Sequence, residues 1–173
     1  PNRKKFIDWV DHQFNIFKLS NKHKLPNSDF FPHQQLVKNY LNLDSPYRGI
    51  LLYHSLGSGK SCSSILAAES LKNEKKVIVM LPASLEKNYI EELKKCGQES
   101  FRLENNWTKI YSHLDSESNN FHVYPKTISK YNGFWKVNSD LKPNYHGLSD
   151  QEKHEINFQI EEVIKRDYIF IHY

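Results

Sequence analysis

The chain has 173 residues, 38% hydrophobic and 25% charged, an ordinary composition for one soluble domain, and none of its apolar runs approaches the roughly 20 residues that cross a bilayer. It has no signal-peptide pattern, and its two cysteines, Cys62 and Cys96, are expected to be free thiols, so we predict an intracellular or packaged protein without a membrane partner. The net charge of +4 permits a polyanionic partner such as nucleic acid but does not require one, because scattered lysines usually solvate a surface.

Two helices are predicted ahead of the first strand. Residues 3–19 place Trp9, Val10 and other apolar side chains at helical spacing, and residues 20–29 are rich in turn formers and predict a loop. The second helix begins in F-F-P-H-Q-Q, because Pro32 suits the first turn of a helix and an apolar face follows it.

The start of the second helix carries candidate contacts for a nucleotide base. Gln34 or Gln35 could offer an amide to an adenine edge, which presents a donor and an acceptor, and Phe30 or Phe31 could stack on the base. The alternative is that the aromatic side chains pack in the core and the glutamines are solvated.

A phosphate-binding loop is indicated by the stretch G-I-L-L-Y-H-S-L-G-S-G-K-S, which starts at Gly49. Its apolar part predicts a buried strand over residues 49–53, its glycines predict a tight turn, and a helix is predicted from near Lys60. The full Walker pattern has a glycine where this chain has His54, so the motif is the shorter G-x-G-K-S form.

The residue types in this loop fit the binding of nucleotide phosphates. Gly57 and Gly59 allow successive backbone N–H groups to point into one concavity, and the following helix adds its positive dipole end. In the usual chemistry of this motif, Lys60 contacts the β- and γ-phosphates and the Ser61 hydroxyl binds Mg²⁺.

A second strand and a further helix follow the loop. V-I-V-M-L, residues 77–81, is the continuous apolar run that a parallel sheet covered on both faces requires, and with the first strand it predicts a right-handed βαβ unit. Ser84 is predicted to cap the next helix, which Gly97 ends. The N-terminus of that helix could hold a nucleic-acid phosphate, although capping by Ser84 would occur in any case.

Residues 98–148 are the least readable part of the sequence. Aromatic side chains alternate there with lysines, asparagines and turn-forming stretches such as D-S-E-S-N-N. Interleaved aromatic and basic residues can form a stacking platform for single strands. The favoured alternative is that the aromatic side chains form the core of an inserted subdomain.

The C-terminal stretch predicts a capped helix and a strand. Ser149 and Glu152 form a capping-box signature, and a stripe of aliphatic residues continues through residue 166. Y-I-F-I-H-Y, residues 168–173, predicts a third strand of the sheet.

Taken together, F-F-P-H-Q, the G-S-G-K-S loop and V-I-V-M-L-P-A-S-L resemble the first RecA-like lobe of superfamily 2 helicases and translocases. P-A-S-L is similar to the Snf2 branch, and the strand that runs into Y-H-x-x-G-S-G-K looks closest to poxvirus and giant-virus helicase-like ATPases of early transcription and its termination. The match covers residues 30–97 well and 160–173 weakly. The resemblance implies an α/β, three-layer P-loop domain with a parallel sheet, here an incomplete lobe one.

The resemblance assigns roles to individual residues. Gln34 falls on the adenine-sensing glutamine, and Phe31 is a candidate for the stacking aromatic. Motif I, which binds ATP and Mg²⁺, comprises Gly57, Ser58, Gly59, Lys60 and Ser61; Lys60 and Ser61 are its catalytic members and Ser61 is the metal ligand. Motif Ia, which contacts the backbone of the tracked strand, comprises Pro82, Ala83 and Ser84. Residues 168–173 resemble the strand that precedes motif II.

Two parts of this family's catalytic machinery have no counterpart in the sequence. Motif II, an Asp-Glu pair after a buried strand, would hold Mg²⁺ and orient the attacking water, but the pairs Glu91-Glu92 and Glu161-Glu162 lie inside predicted helices. The second lobe with its arginine fingers is also absent. The chain is therefore interpreted as a piece of a longer polypeptide that binds nucleotide but barely hydrolyses it.

These features divide the chain into an N-terminal helix and linker over 1–29, a P-loop core over 30–97, an insertion over 98–148, and a helix and strand over 149–173. The leading hypothesis is the N-terminal part of a viral-type ATP-dependent DNA helicase or translocase, working with transcription machinery in the cytoplasm (the viral factory) or in the virion. One rival is a P-loop kinase that phosphorylates a small molecule. The other is a nucleic-acid or protein interaction module whose P-loop is only structural.

Overall fold

The computed structural model describes residues 3–18, 30–41, 48–53, 55, 57–111 and 120–173. The chain forms two compact units, Pro1–Leu71 and Lys72–Tyr173. The predicted loop over 20–29, His54 of the phosphate-binding motif and most of the D-S-E-S-N-N turn lie outside the described residues.

Three helices make up the described part of the first unit: α1 (Arg3–Lys18), α2 (Pro32–Tyr40) and α3 (Lys60–Leu71). Pro32 occupies the first turn of α2, as predicted, because its fixed φ suits a helix start. The α2 helix packs against both α1 and α3. Val37 of α2 and Ile65 of α3 are buried in the core.

The strand predicted over residues 49–53 is not formed. These residues have no regular secondary structure, and Leu51 and Tyr53 are 89% and 96% exposed. An apolar run becomes a strand only where a neighbouring strand accepts its backbone hydrogen bonds. The described part of the first unit contains no strand, so the predicted βαβ unit around the loop is absent from it.

The second unit contains a parallel sheet of two strands, β1 (Val77–Leu81) and β4 (Tyr168–His172). Leu81 is paired with His172, so the two strands end together at one edge of the sheet. The helix α4 (Ala83–Cys96) follows β1, and α7 (Asp150–Asp167) precedes β4; the two helices pack together. The predicted fold class is therefore confirmed: helices and a parallel sheet, consistent with part of a RecA-like domain.

The stretch that was hardest to interpret from sequence folds as a second, antiparallel sheet with helices. Its strands are β2 (Trp107–Tyr111) and β3 (Gly133–Val137), and between them lie α5 (Asn120–Val123) and α6 (Pro125–Tyr131). Four of its aromatic side chains are at most 5% exposed: Phe101, Trp107, Phe134 and Trp135. The prediction that aromatic residues here form a core is confirmed for these four.

The long helix α7 joins the elements of the second unit. The Ser149 hydroxyl and backbone N–H donate to the Glu152 carboxylate, while the Glu152 N–H donates to the Ser149 hydroxyl oxygen, so the predicted capping box is confirmed. These bonds lower the pKa of Glu152, because they stabilise its charged form. The predicted apolar face is buried: Ile156, Ile160, Val163 and Ile164.

None of the described helices, α7 included, combines the length and apolar character of a membrane span.

Buried polar side chains of α7 fasten the antiparallel sheet. Glu155, 2% exposed, accepts hydrogen bonds from Lys109 Nζ at 2.7 Å and from the Trp135 indole N–H at 3.1 Å. Gln159 pairs with the Trp135 backbone, accepting from its N–H and donating to its carbonyl, both at 2.7 Å. Because a buried polar group costs free energy unless it is paired, these contacts fix β3 on α7.

Two local predictions are corrected. Ser84 does not cap α4: the helix begins at Ala83, Pro82 is the N-cap residue, and no side chain makes the capping bond. Ser84 is therefore the second residue of the helix, two positions past the N-cap position from which a side chain accepts from the first helical N–H groups. The structure contains no free cysteine. The prediction of two free thiols is wrong, because a cysteine count carries no information on where the folded chain places the sulfur atoms.

Candidate nucleotide-binding site

The glycine-rich loop has the backbone that its sequence requires. Gly57 and Gly59 both have φ of +77°, a left-handed conformation that costs a residue with a side chain about 1–2 kcal/mol. The helix α3 begins at Lys60, directly after the second glycine, as predicted. Its first backbone N–H groups have no acceptor within the helix, so an anion placed at the loop would meet them and the positive end of the helix dipole.

Inside the loop, the Ser55 carbonyl oxygen accepts three hydrogen bonds. It accepts from the Ser58 N–H at 3.4 Å, from the Ser58 hydroxyl at 2.7 Å and from Lys60 Nζ at 2.9 Å. The Lys60 ammonium thus bends back onto its own loop, and Ser61, next to it, is exposed. A phosphate in the loop would compete with the neutral Ser55 carbonyl for Lys60, and a hydrogen bond between two charged groups is stronger than one to a neutral carbonyl.

The first turn of α2 lies directly against this loop. Gln34 is 5% exposed, and its Oε1 accepts from the Phe31 N–H at 2.9 Å. Its Nε2 occupies the space beside Gly59, only 2.4 Å from where a Cβ on that glycine would stand. The structure therefore brings together Gln34 and the phosphate-binding motif, which are far apart in sequence. Of the two candidate glutamines, Gln34 is the buried one and Gln35 is half-buried.

Phe31 and His33 form a parallel ring pair at the same place. Their ring centres are 5.7 Å apart with an interplanar angle of 10°, and Phe31 is 46% exposed. His33 Nε2 lies 3.0 Å from the Ser58 carbonyl oxygen. Sequence reasoning considered Phe31 for base stacking but assigned no role to His33. The feature of the sequence that could have indicated a role for His33 is its position directly before Gln34, in P-H-Q.

The two glycines of the loop offer a matched prediction. Gly59→Ala should lower the free energy of unfolding by about 2–3 kcal/mol and weaken nucleotide binding, because its Cβ meets both positive φ and the Gln34 amide. Gly57→Ala should cost only about 1 kcal/mol, because its Cβ has nothing within 4 Å. Urea unfolding of both variants measures the difference; equal losses would show that the Gln34 contact does not constrain the loop.

The predicted motif Ia residues lie at the carboxyl edge of the parallel sheet. Pro82 follows β1 directly, and Ala83 and Ser84 are exposed in the first turn of α4. His172, at the matching end of β4, contacts Glu86 of the same helix, with 2.5 Å between Nε2 and Oε2. A helix N-terminus with small exposed side chains allows close approach of an anion such as a phosphodiester.

The adjacent glutamate pairs are inside helices, as predicted, and they have structural partners. Lys94, 4% exposed, donates to Glu91 at 2.9 Å, to Asn157 at 3.0 Å and to Glu161 at 3.3 Å, which ties α4 to α7. Glu162 accepts from the backbone N–H groups of residues 126 and 127 and from the Thr127 hydroxyl, and so caps α6. The carboxylates of Glu91, Glu161 and Glu162 thus hold helices together.

A tight turn with two positive-φ glycines, followed at once by a helix that starts with Lys60 and Ser61, is the arrangement with which P-loop proteins bind nucleotide phosphates. The chain is similar to proteins named as helicases in giant viruses and iridoviruses. No protein-family model and no solved structure matches it.

The relatives differ greatly from this chain in length. A protein of Acanthamoeba polyphaga mimivirus, provisionally named an ATP-dependent RNA helicase, is 27% identical over 155 residues, which are 86% of this chain and 25% of that protein. A second mimivirus protein with the same kind of name is 36% identical over 95 residues, 51% of this chain and 8% of its own length. A provisionally named helicase of Invertebrate iridescent virus 3 is 30% identical over 105 residues, 48% of this chain and 11% of that protein. The chain thus spans a quarter or less of the length of these relatives.

Proposed function

We propose that this chain is the nucleotide-binding part of the first RecA-like lobe of a viral superfamily 2 ATPase, Snf2-like in its motifs, which acts on DNA as a helicase or translocase. The observation that supports the proposal is the packing of the Gln34 amide against Gly59, because the proposal requires the glutamine and the glycine-rich loop to lie together. The helicase names of the viral relatives support it.

In this proposal, residues 30–97 contain both the nucleotide contacts and the nucleic-acid contacts. The N–H groups around Gly57, Ser58 and Gly59 hold the phosphates of ATP, and Lys60 moves from the Ser55 carbonyl to the β- and γ-phosphates. The Ser61 hydroxyl would be a ligand for Mg²⁺, which when bound would neutralise charge on the phosphate oxygens.

The base would be recognised at the start of α2. Gln34 offers its amide to the adenine edge, and the exposed ring of Phe31, stacked on His33, offers a face for the base. The residues fit ATP because the polar amide and the apolar ring lie on one side of the phosphate loop. Hydrolysis requires a carboxylate that orients the attacking water and an arginine from a second lobe. This chain alone is therefore expected to bind ATP and to hydrolyse it very slowly.

Nucleic acid would be contacted at Pro82, Ala83 and Ser84, at the N-terminus of α4, where the backbone N–H groups of Ala83 and Ser84 would donate to a phosphate. In this proposal the parent protein works with viral transcription machinery, in the cytoplasm of an infected cell or in the virion, and the relatives are likewise proteins of viruses. The mimivirus relatives are named for RNA, whereas the motif likeness favours DNA, so both polymers belong in the test.

The test is titration of the chain with a fluorescent ATP analogue, alone and with single-stranded or double-stranded DNA or RNA. We expect a dissociation constant below about 1 mM that DNA tightens. Binding weaker than about 1 mM would favour an interaction module with a structural loop. In a full-length protein that contains this chain, release of free phosphate stimulated by DNA is expected; phosphate transfer to a small molecule without such stimulation would indicate a kinase.

A further inference from the structure

His33 reaches from α2 to the backbone of the glycine-rich loop. The Ser58 carbonyl oxygen, 3.0 Å from His33 Nε2, can only accept a hydrogen bond, so Nε2 must carry the hydrogen. This contact sets the tautomer of the imidazole ring. It also holds the Ser58 carbonyl, which directly precedes Gly59, the second of the two positive-φ glycines.

The orientation of the Ser58 carbonyl decides where the next N–H points. A trans peptide is planar, so the Ser58 C=O and the Gly59 N–H point in opposite directions. With the Ser58 carbonyl on His33, the Gly59 N–H points away from His33. The next peptide is fixed as well, because the Gly59 carbonyl accepts from the Ser63 N–H at 2.9 Å and from the Ser63 hydroxyl at 3.1 Å.

Without the His33 contact, the Ser58–Gly59 peptide would lose its restraint on the α2 side. Glycine populates positive and negative φ about equally, so a peptide next to Gly59 can rotate at little cost. A rotated peptide would turn its carbonyl toward a bound phosphate and repel it. The hydrogen bond therefore prepares the loop for an anion before the anion arrives, which lowers the ordering cost of binding.

We propose that His33 is a positioning residue: it fixes the Ser58–Gly59 peptide so that the Gly59 N–H is available to a nucleotide phosphate. Its ring also stacks on Phe31, so the same side chain links the base side of the site to the phosphate side. This inference rests on the proposed function, since it names a residue that organises the same nucleotide site.

The test compares two substitutions of His33 in the complete chain. His33→Ala removes the donor, and the affinity for a fluorescent ATP analogue is expected to fall about tenfold. His33→Gln places an amide N–H near the position of Nε2, and its affinity should stay within about threefold of the native chain. Lys38→Ala, on the same helix, is the control for nonspecific effects, and thermal melting shows whether each variant is folded.

A spectroscopic readout separates positioning from simple packing. In the native chain, ¹⁵N chemical shifts of the imidazole should report hydrogen on Nε2, and the Gly59 amide signal should shift in His33→Ala but much less in His33→Gln. An imidazole with its hydrogen on Nδ1, or a folded His33→Gln chain that binds as weakly as a chain without the donor, would overturn the inference. If His33→Ala does not fold, the tautomer of the native imidazole and the affinity of His33→Gln still test the inference.

The outcomes also separate this inference from the proposed function. Failure of the native chain to bind the analogue contradicts the proposed function, while the imidazole spectrum still tests the contact with Ser58. Native binding that is lost in Lys60→Ala but unchanged in His33→Ala contradicts the positioning role alone.

Discussion

Replacing Lys60 by alanine is expected to weaken binding of ATP to this chain at least about a hundredfold. The ammonium group lies at the loop, held by the Ser55 carbonyl at 2.9 Å, and it is the cation of the motif that would contact the β- and γ-phosphates. A hydrogen bond to a charged group contributes about 1.5–3 kcal/mol, and two such bonds correspond to roughly a hundredfold or more in affinity. Titration with a fluorescent ATP analogue measures the loss.

The control for this substitution is Lys38→Ala, which removes the same charge from the end of α2. It should bind the analogue as the native chain does. Because the Lys60 side chain bonds within an exposed loop, the melting temperatures of both variants should stay close to that of the native chain. An undiminished affinity in Lys60→Ala would mean that the loop does not bind phosphate, and the proposed function would fail.

The second large effect concerns stability: Glu155→Ala should lower the free energy of unfolding by about 3–5 kcal/mol. Glu155 is 2% exposed, and removal of its carboxylate leaves the Lys109 ammonium, 20% exposed, and the Trp135 indole N–H without their shared acceptor. A buried charge that loses its partner is costly because water does not replace the lost bond. Urea denaturation followed by tryptophan fluorescence measures this change.

An exposed carboxylate–histidine contact of nearly the same length serves as the control. Glu104 contacts His146 Nε2 at 2.8 Å, but the two side chains are 66% and 80% exposed. Glu104→Ala should change the free energy of unfolding by less than about 0.5 kcal/mol, because water solvates both groups. Similar losses in the two variants would show that burial is not what makes Glu155 important.

Much of the second unit could be predicted from local sequence. The capping box at Ser149 and Glu152 involves residues three apart, and the buried stripe of α7 repeats at helical spacing, so both are visible in one short window. The strand at residues 168–172 was predicted from its apolar run, and its partner β1 was predicted independently. The parallel pairing of these two strands joins residues that are far apart in sequence, so neither local stretch specifies it.

One error in the prediction of the fold, and one assignment that the sequence left open, share one physical cause. Residues 49–53 have a strand composition as strong as that of β1, yet Leu51 and Tyr53 are exposed, because no strand in the described part of that unit accepts their hydrogen bonds. Buried aromatic residues such as Trp107 and Trp135 were hard to assign because burial depends on α7, which lies far along the chain. The composition of a segment limits which secondary structure and burial it can adopt, and contacts with distant segments determine which of these it adopts in the folded chain.

The glycine-rich turn and the helix that starts at Lys60 follow from the local sequence, because positive φ at Gly57 and Gly59 and the start of a helix are properties of neighbouring residues. The surroundings of that loop depend on the folded chain. Gln34 meets Gly59 and His33 meets Ser58 because α2 packs on α3, and no spacing along the chain encodes that packing. Hydrogen bonds between distant residues depend on the folded backbone, which local pattern does not specify.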